Sequence, residues 1–212
     1  MQTEEEQIAQ LKEWWQRNGK PLLAGGVVDV AGVFGWQYWQ NYQASQAAAA
    51  SYTYQQLLEN VLSPEVERDT AEVVELSNKL KSEFAGSSYS QYGALLAAKL
   101  AVEAGKLDDA AAELQAVVDK PADATLGELA RQRLARVLAA QDKAEEGLTL
   151  LDGEAPASYQ ASREELRGDL LKQLQRPAEA REAYQKARAV LADDAAQGTL
   201  QLKLDDLAEG DA

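Results

Sequence analysis

From Ser51 onward, apolar positions recur at three- and four-residue spacing in runs broken every dozen or so residues, which predicts short amphipathic helices and few strands. The most regular run is ELRGDLLKQLQRPAEAREAYQKARAVL, residues 165–191, with Gly168 and Leu171 on a first helix and Ala180, Tyr184 and Ala187 on a second. Small residues let two helices approach closely, and a large one a turn later fills the space beside them, the pattern of a tetratricopeptide helix pair. An earlier copy has Ala98 and Ala101, a turn at Gly105-Lys106, then Ala110, Leu114 and Val117, with Pro121 as a break. A middle copy has Ala135 and Leu138, a turn near Asp142, then Gly147 and Leu151. From Ala110 to Gly147 is 37 residues and from Gly147 to Ala180 is 33, on either side of a repeat unit of about 34.

The ends of such an array are expected to be atypical. Ahead of the copies, Tyr52 to Leu62 and Ser63-Pro64 to Phe84 form a looser helix pair, with Ser63 as N-cap and Pro64 in a first turn. After them, Leu200, Leu204 and Leu207 make the stripe of a capping helix, although Leu202 also admits a strand, and the final Glu-Gly-Asp-Ala is expected to fray.

The first forty residues follow a different pattern. Thr3 and Glu6 have the spacing of a capping box, and Ile8, Leu11 and Trp15 continue as an amphipathic helix that Gly19 and Pro21 would end. PLLAGGVVDVAGVFGWQYW, residues 21–39, has the length of a bilayer-spanning helix and ends in the interfacial aromatics Trp36, Tyr38 and Trp39. Lys12, Arg17 and Lys20 precede it and no Lys or Arg occurs from Pro21 through Glu67, which puts the N-terminus in the cytoplasm. Asp29 opposes insertion by about 2.5 to 3.5 kcal/mol. Gly25, Asp29, Gly32 and Trp36 share one stripe, so Asp29 either packs there against other membrane helices or merely weakens the span. A cleaved signal peptide is the alternative, with small-residue sites at 44–50, but the acidic, tryptophan-containing start argues against it. The expected organisation is all-α: a cytoplasmic amphipathic helix (1–20), a transmembrane helix (21–39) and a periplasmic tetratricopeptide-like solenoid (40–212).

Composition narrows the function. The chain has no His and no Cys, which excludes thiol nucleophiles, imidazole proton shuttles, thiolate or imidazole metal sites and disulfides. Its 35 Asp and Glu lie among Lys and Arg on helix faces, the pattern of a solvated surface. A formal charge of -14 disfavours nucleic acid, and nothing points to a cofactor or a small-molecule substrate. Protein binding remains, and in such arrays the first helix of each pair lines the concave side. That places Tyr92, Lys99, Gln132, Arg136, Glu165, Asp169 and Lys172 in or near a groove, or on simply solvated helix faces. The mode in which tetratricopeptide co-chaperones grip a C-terminal carboxylate uses paired Asn and Lys, and this chain has no Asn after Asn78.

With these residues in place the whole chain resembles the YfgM family, the ancillary subunit of the bacterial Sec translocon, most tellingly in EEEQIAQLKEWWQRNGKPLLAGG and the following FGWQYWQ. The resemblance implies a single-span inner-membrane protein with a periplasmic tetratricopeptide-like domain. Its implied partners are the SecYEG channel and a membrane-anchored periplasmic chaperone of the peptidyl-prolyl isomerase type, with a link to envelope-stress signalling. It implies no catalytic residues. The expected role is a membrane-anchored scaffold that assists protein export; the rival is a soluble or secreted peptide-binding adaptor that does not attach to the translocon.

Overall fold

The computed structural model describes residues 4–63, 70–191 and 194–209. Among these the backbone is helical, with no strand. The helices are α1 (Glu4–Leu62), α2 (Thr70–Glu83), α3 (Ser88–Glu103), α4 (Leu107–Asp119), α5 (Ala124–Ala140), α6 (Ala144–Leu150), α7 (Gln160–Gln173), α8 (Pro177–Val190) and α9 (Asp194–Glu209), with a 3-10 turn at Ala157–Tyr159. Thr3 of the expected capping box, Pro64 of the expected first turn and residues 210–212 lie outside the described residues. The chain divides into two units, Met1–Ala49 and Ala50–Ala212.

The first unit corrects the sequence reading. Residues 1–20 and 21–39 do not form separate helices, because α1 runs on through Pro21. Proline removes a backbone donor, and here the helix continues past that loss. Gly19 is not a stop: a Cβ there would lie 3.1 Å from the Trp15 indole, so glycine makes room for the ring one turn earlier. The transmembrane helix is also overturned, since no helix among the described residues is long and apolar enough to cross a membrane. The cause lies in 21–39, where Asp29, Gln37 and four glycines interrupt the Leu and Val residues. Gly25, Asp29, Gly32 and Trp36 lie on exposed helix, and a Cβ on Gly25 or Gly32 would meet nothing within 4 Å. Trp36 stacks instead on Trp39, one turn along the same helix, at 5.2 Å between centroids.

The second unit is a row of helix pairs: α3 with α4, α5 with α6, and α7 with α8. Each helix from α2 to α9 packs on its neighbours in sequence, and α5 also meets α7. The core is accordingly a series of clusters. Leu57, Val61, Val73, Leu76 and Leu80 join the end of α1 to α2. Leu95, Leu114, Leu126 and Leu134 join α3, α4 and α5. Ala135, Leu151, Leu166 and Leu170 bridge the second pair to the third, and Leu171, Tyr184, Leu200 and Leu204 join α7 and α8 to α9. The capping reading of α9 is the one observed: Leu200, Leu204 and Leu207 are buried, whereas Leu202 is exposed.

The backbone of the turns repeats as the small residues do. Gly105, Asp142 and Gln175, again 37 and 33 residues apart, all take the left-handed conformation, with φ of 71°, 62° and 58°. Just after each, the N-H groups of Lys106, Lys143 and Arg176 bond back to Ala101, Leu138 and Leu171 at 2.8, 2.8 and 2.9 Å, closing the same Schellman-type helix end three times. Four residues further on stand Ala110, Gly147 and Ala180, at the close approach between helices. A Cβ on Gly147 would lie 2.9 Å from the Ala135 carbonyl oxygen, which is why glycine stands there.

Candidate partner-binding cleft

Two of the expected groove residues meet in one place. Lys99 of α3 and Arg136 of α5 border an open cleft of about 430 Å³ between the first helices of successive pairs. Its floor is apolar, from Leu95, Ala98 and Val102 of α3, Leu107 and Leu114 of α4, and Val137 and Ala140 of α5. The helical spacing explains the arrangement: Leu95, Lys99 and Val102 lie on one face of α3, and Arg133, Arg136, Val137 and Ala140 on one face of α5. Lys99 pairs with Glu103 one turn on, at 2.7 Å. Arg136 reaches only the Gln132 carbonyl, at 3.4 Å, and neither it nor Arg133 has an acidic partner among the described residues. Arg133 is not among the groove residues that helix order alone suggests, yet the sequence carries a signal for it: from Leu129 to Gln141 an otherwise acidic chain has three arginines and no carboxylate.

Tyr92, one turn before Leu95 on α3, joins a tyrosine cluster. Its ring lies 5.8 Å from Tyr54 and 6.3 Å from Tyr89. Burial, then the nearby Tyr92, push the Tyr54 phenol up from its ordinary pKa.

Gln132 points the other way, into the interior. It donates at 2.9 Å to Glu128, a fully buried carboxylate that also takes Nε of Arg163 at 2.8 Å and an arm of the same guanidinium on its second oxygen. Arg131 adds a bond at 3.0 Å. Arg163 in turn donates to the Gly153 carbonyl at 2.9 Å, in the loop between α6 and α7. Burial alone would raise the Glu128 pKa; the bonds from Arg163 and Gln132, with the guanidinium charge, outweigh it and hold the carboxyl below its ordinary value. This ion pair bolts α5 to α7 across two repeats.

Glu165, Asp169 and Lys172 of α7 are engaged by the capping helix. Lys203 of α9 reaches Glu165 at 2.8 Å and Asp169 at 2.6 Å, and Lys172 pairs with Asp206. The Tyr184 hydroxyl also donates to Asp169, at 2.8 Å. Burial first, then that bond to a carboxylate, push the phenol far up. Burial would lower the Lys203 pKa, but its bonds to Asp169 and Glu165 raise it. Among the described residues no group of His, Cys, Asp and Glu has the arrangement to hold a metal ion.

Helix pairs stacked in one register, with small residues at each close approach, define a tetratricopeptide-like repeat protein, and a family model described as a tetratricopeptide repeat-like domain matches residues 12–209. Relatives of this chain carry the name ancillary SecYEG translocon subunit. Those of Haemophilus influenzae and Escherichia coli are each 31% identical, over 169 residues (79% of either chain) and 173 residues (80% of either chain). That of Neisseria gonorrhoeae is 27% identical over 205 residues, 96% of this chain and 97% of the relative. The chain belongs to their family, the YfgM family. No solved structure gives a significant match.

Proposed function

We propose that this protein is a non-catalytic adaptor of the Sec translocon whose repeat domain holds a second protein, a periplasmic chaperone, near the channel. The observation that carries the reading is the open apolar cleft between the first helices of two successive repeats, in a chain whose relatives are named for the SecYEG translocon. Side chains presented by rigid helices suit recognition, and the candidate surface offers cations and apolar floor but no nucleophile beside a base. A place at the inner membrane follows in this reading from the partner.

The test is co-purification. Tagged full-length protein, carrying a photoreactive side chain in turn at Tyr92, Lys99 or Arg136, is crosslinked in cells and isolated from membranes. SecYEG is expected in the eluate, and a chaperone adduct at one or more of the three positions. Absence of SecYEG would overturn the translocon reading, and its presence without any chaperone adduct would remove the chaperone from it.

A further inference from the structure

The cleft between α3 and α5 has a charge opposite to that of the molecule around it. The whole chain has a formal charge of -14, yet the charged side chains lining the cleft are Lys99, Arg133 and Arg136 against Glu103 alone, and α4 contributes only Leu107 and Leu114. Glu103 is taken up by Lys99 at 2.7 Å. Arg133 and Arg136, one turn apart on an exposed face of α5, therefore stand over an apolar floor with their donors turned to no carboxylate among the described residues. Guanidinium groups pair with carboxylates through two parallel N-H donors, and the low-dielectric floor beside them strengthens such a bond.

We infer that this cleft binds an acidic amphipathic segment of a partner polypeptide, seating its apolar side chains on Leu95, Ala98, Val102 and Val137 and its carboxylates on Arg133 and Arg136. The inference deepens the adaptor reading and rests on it for the partner being a protein. A volume of about 430 Å³ accepts a few large side chains, the size of anchor on which short-segment recognition depends. The cationic rim selects against basic segments, since a Lys or Arg brought to Arg133 and Arg136 would meet like charge. Nucleic acid is the weaker occupant, because three cations in one cleft of an acidic chain leave most of the phosphates of a duplex facing carboxylates. The segment is held by its side-chain carboxylates, so it need not be a chain terminus.

The probe is a short fluorescein-labelled peptide of leucine and glutamate at helical spacing, compared with one in which glutamine replaces every glutamate. Both are titrated into full-length protein and followed by anisotropy. The acidic peptide is expected to bind at least about tenfold more tightly than the glutamine peptide, and to weaken as salt rises. Arg133→Ala and Arg136→Ala should each weaken it about tenfold, and the double Arg→Glu variant about a hundredfold or more. Val102→Glu, which places a carboxylate on the floor, should also abolish binding, whereas Lys79→Glu on α2 controls for net charge and should not. Each replaced side chain is exposed, so circular dichroism and melting should match the parent. Equal binding of the two peptides, or indifference to both arginines, overturns the inference. So does self-association of the parent that the double variant abolishes, which would give the cleft to a second copy. Displacement of the peptide by phosphatidylglycerol vesicles in an arginine-dependent manner would give it to a lipid surface. SecYEG co-purification is read on the same variants. Retained SecYEG with no peptide binding removes only this inference, and lost SecYEG in the parent with peptide binding intact removes only the translocon reading.

Discussion

Replacing Glu128 by Gln keeps the shape of the side chain and removes its charge, leaving the Arg163 guanidinium, 3% exposed, without a counter-ion. The parent carboxylate takes two bonds from Arg163, one from Gln132 and one from Arg131, and the amide would turn an N-H group toward at least one of those donors. Breaking a buried pair from one side costs about 3 to 5 kcal/mol, mostly the burden of the stranded charge. For a domain of this size that is a fall of roughly 10 °C in melting temperature, taking about 2 to 4 °C per kcal/mol. The effect has a pH signature. Glu128 titrates below its ordinary value when folded, so its stabilisation is fully present above the unfolded carboxylate pKa of about 4.3 and fades as pH falls from there through the folded value. Urea unfolding at neutral pH and at about pH 4, followed by circular dichroism, checks both effects; the gap between Glu128→Gln and parent should narrow on acidification. Pairing Glu128→Leu with Arg163→Met should recover much of the loss, because an apolar pair leaves no charge stranded. If Glu128→Gln unfolds within about 0.5 kcal/mol of the parent at neutral pH, the pair is not the bolt between repeats described above.

Three further outcomes are expected from the packing. Gly168→Ala would bring a Cβ to 2.3 Å from the Tyr184 ring, so differential scanning fluorimetry should show a loss of about 1 to 3 kcal/mol or more as the ring is displaced. Tyr184→Phe keeps the buried ring and removes the bond to Asp169; thermal unfolding should show a loss of about 1 kcal/mol, against about 3 to 5 kcal/mol for Tyr184→Ala. Gln175→Gly relieves a left-handed residue at an exposed helix end and should raise stability by up to about 1 kcal/mol in the same assay, as Asp142→Gly should at the equivalent turn.

The repeats were legible because close helix approach demands small side chains, and Ala110, Gly147 and Ala180 supply them at near-constant spacing. The turns between them were less so: only Gly105 advertises a left-handed backbone, while Asp142 and Gln175 adopt it because the surrounding helices impose it. In α1 the local signals misled. A glycine followed by a proline reads as a helix end, but Gly19 serves Trp15 and the helix runs past Pro21. Residues 21–39 have the length of a span, but Asp29 and four glycines dilute their apolar content. Glu128 and Arg163 are 35 residues apart and look like surface charges on two amphipathic helices; only the stacking of α5 on α7 brings them together. The same holds for Glu165, Asp169 and Lys172, whose ion-pair partners sit on a helix recognised solely by its leucines.

Helix α9 occupies the place where a further copy would pack. Without it, Leu171, Ala183, Tyr184 and Ala187 would present a naked apolar end, shaped to accept another helix. Modules that each offer a complementary front and back tend to add on without limit, as in head-to-tail filaments. By laying Leu200, Leu204 and Leu207 on that end and tethering them with Lys203 and Asp206, the chain closes with its own leucines a face on which a further module could otherwise dock.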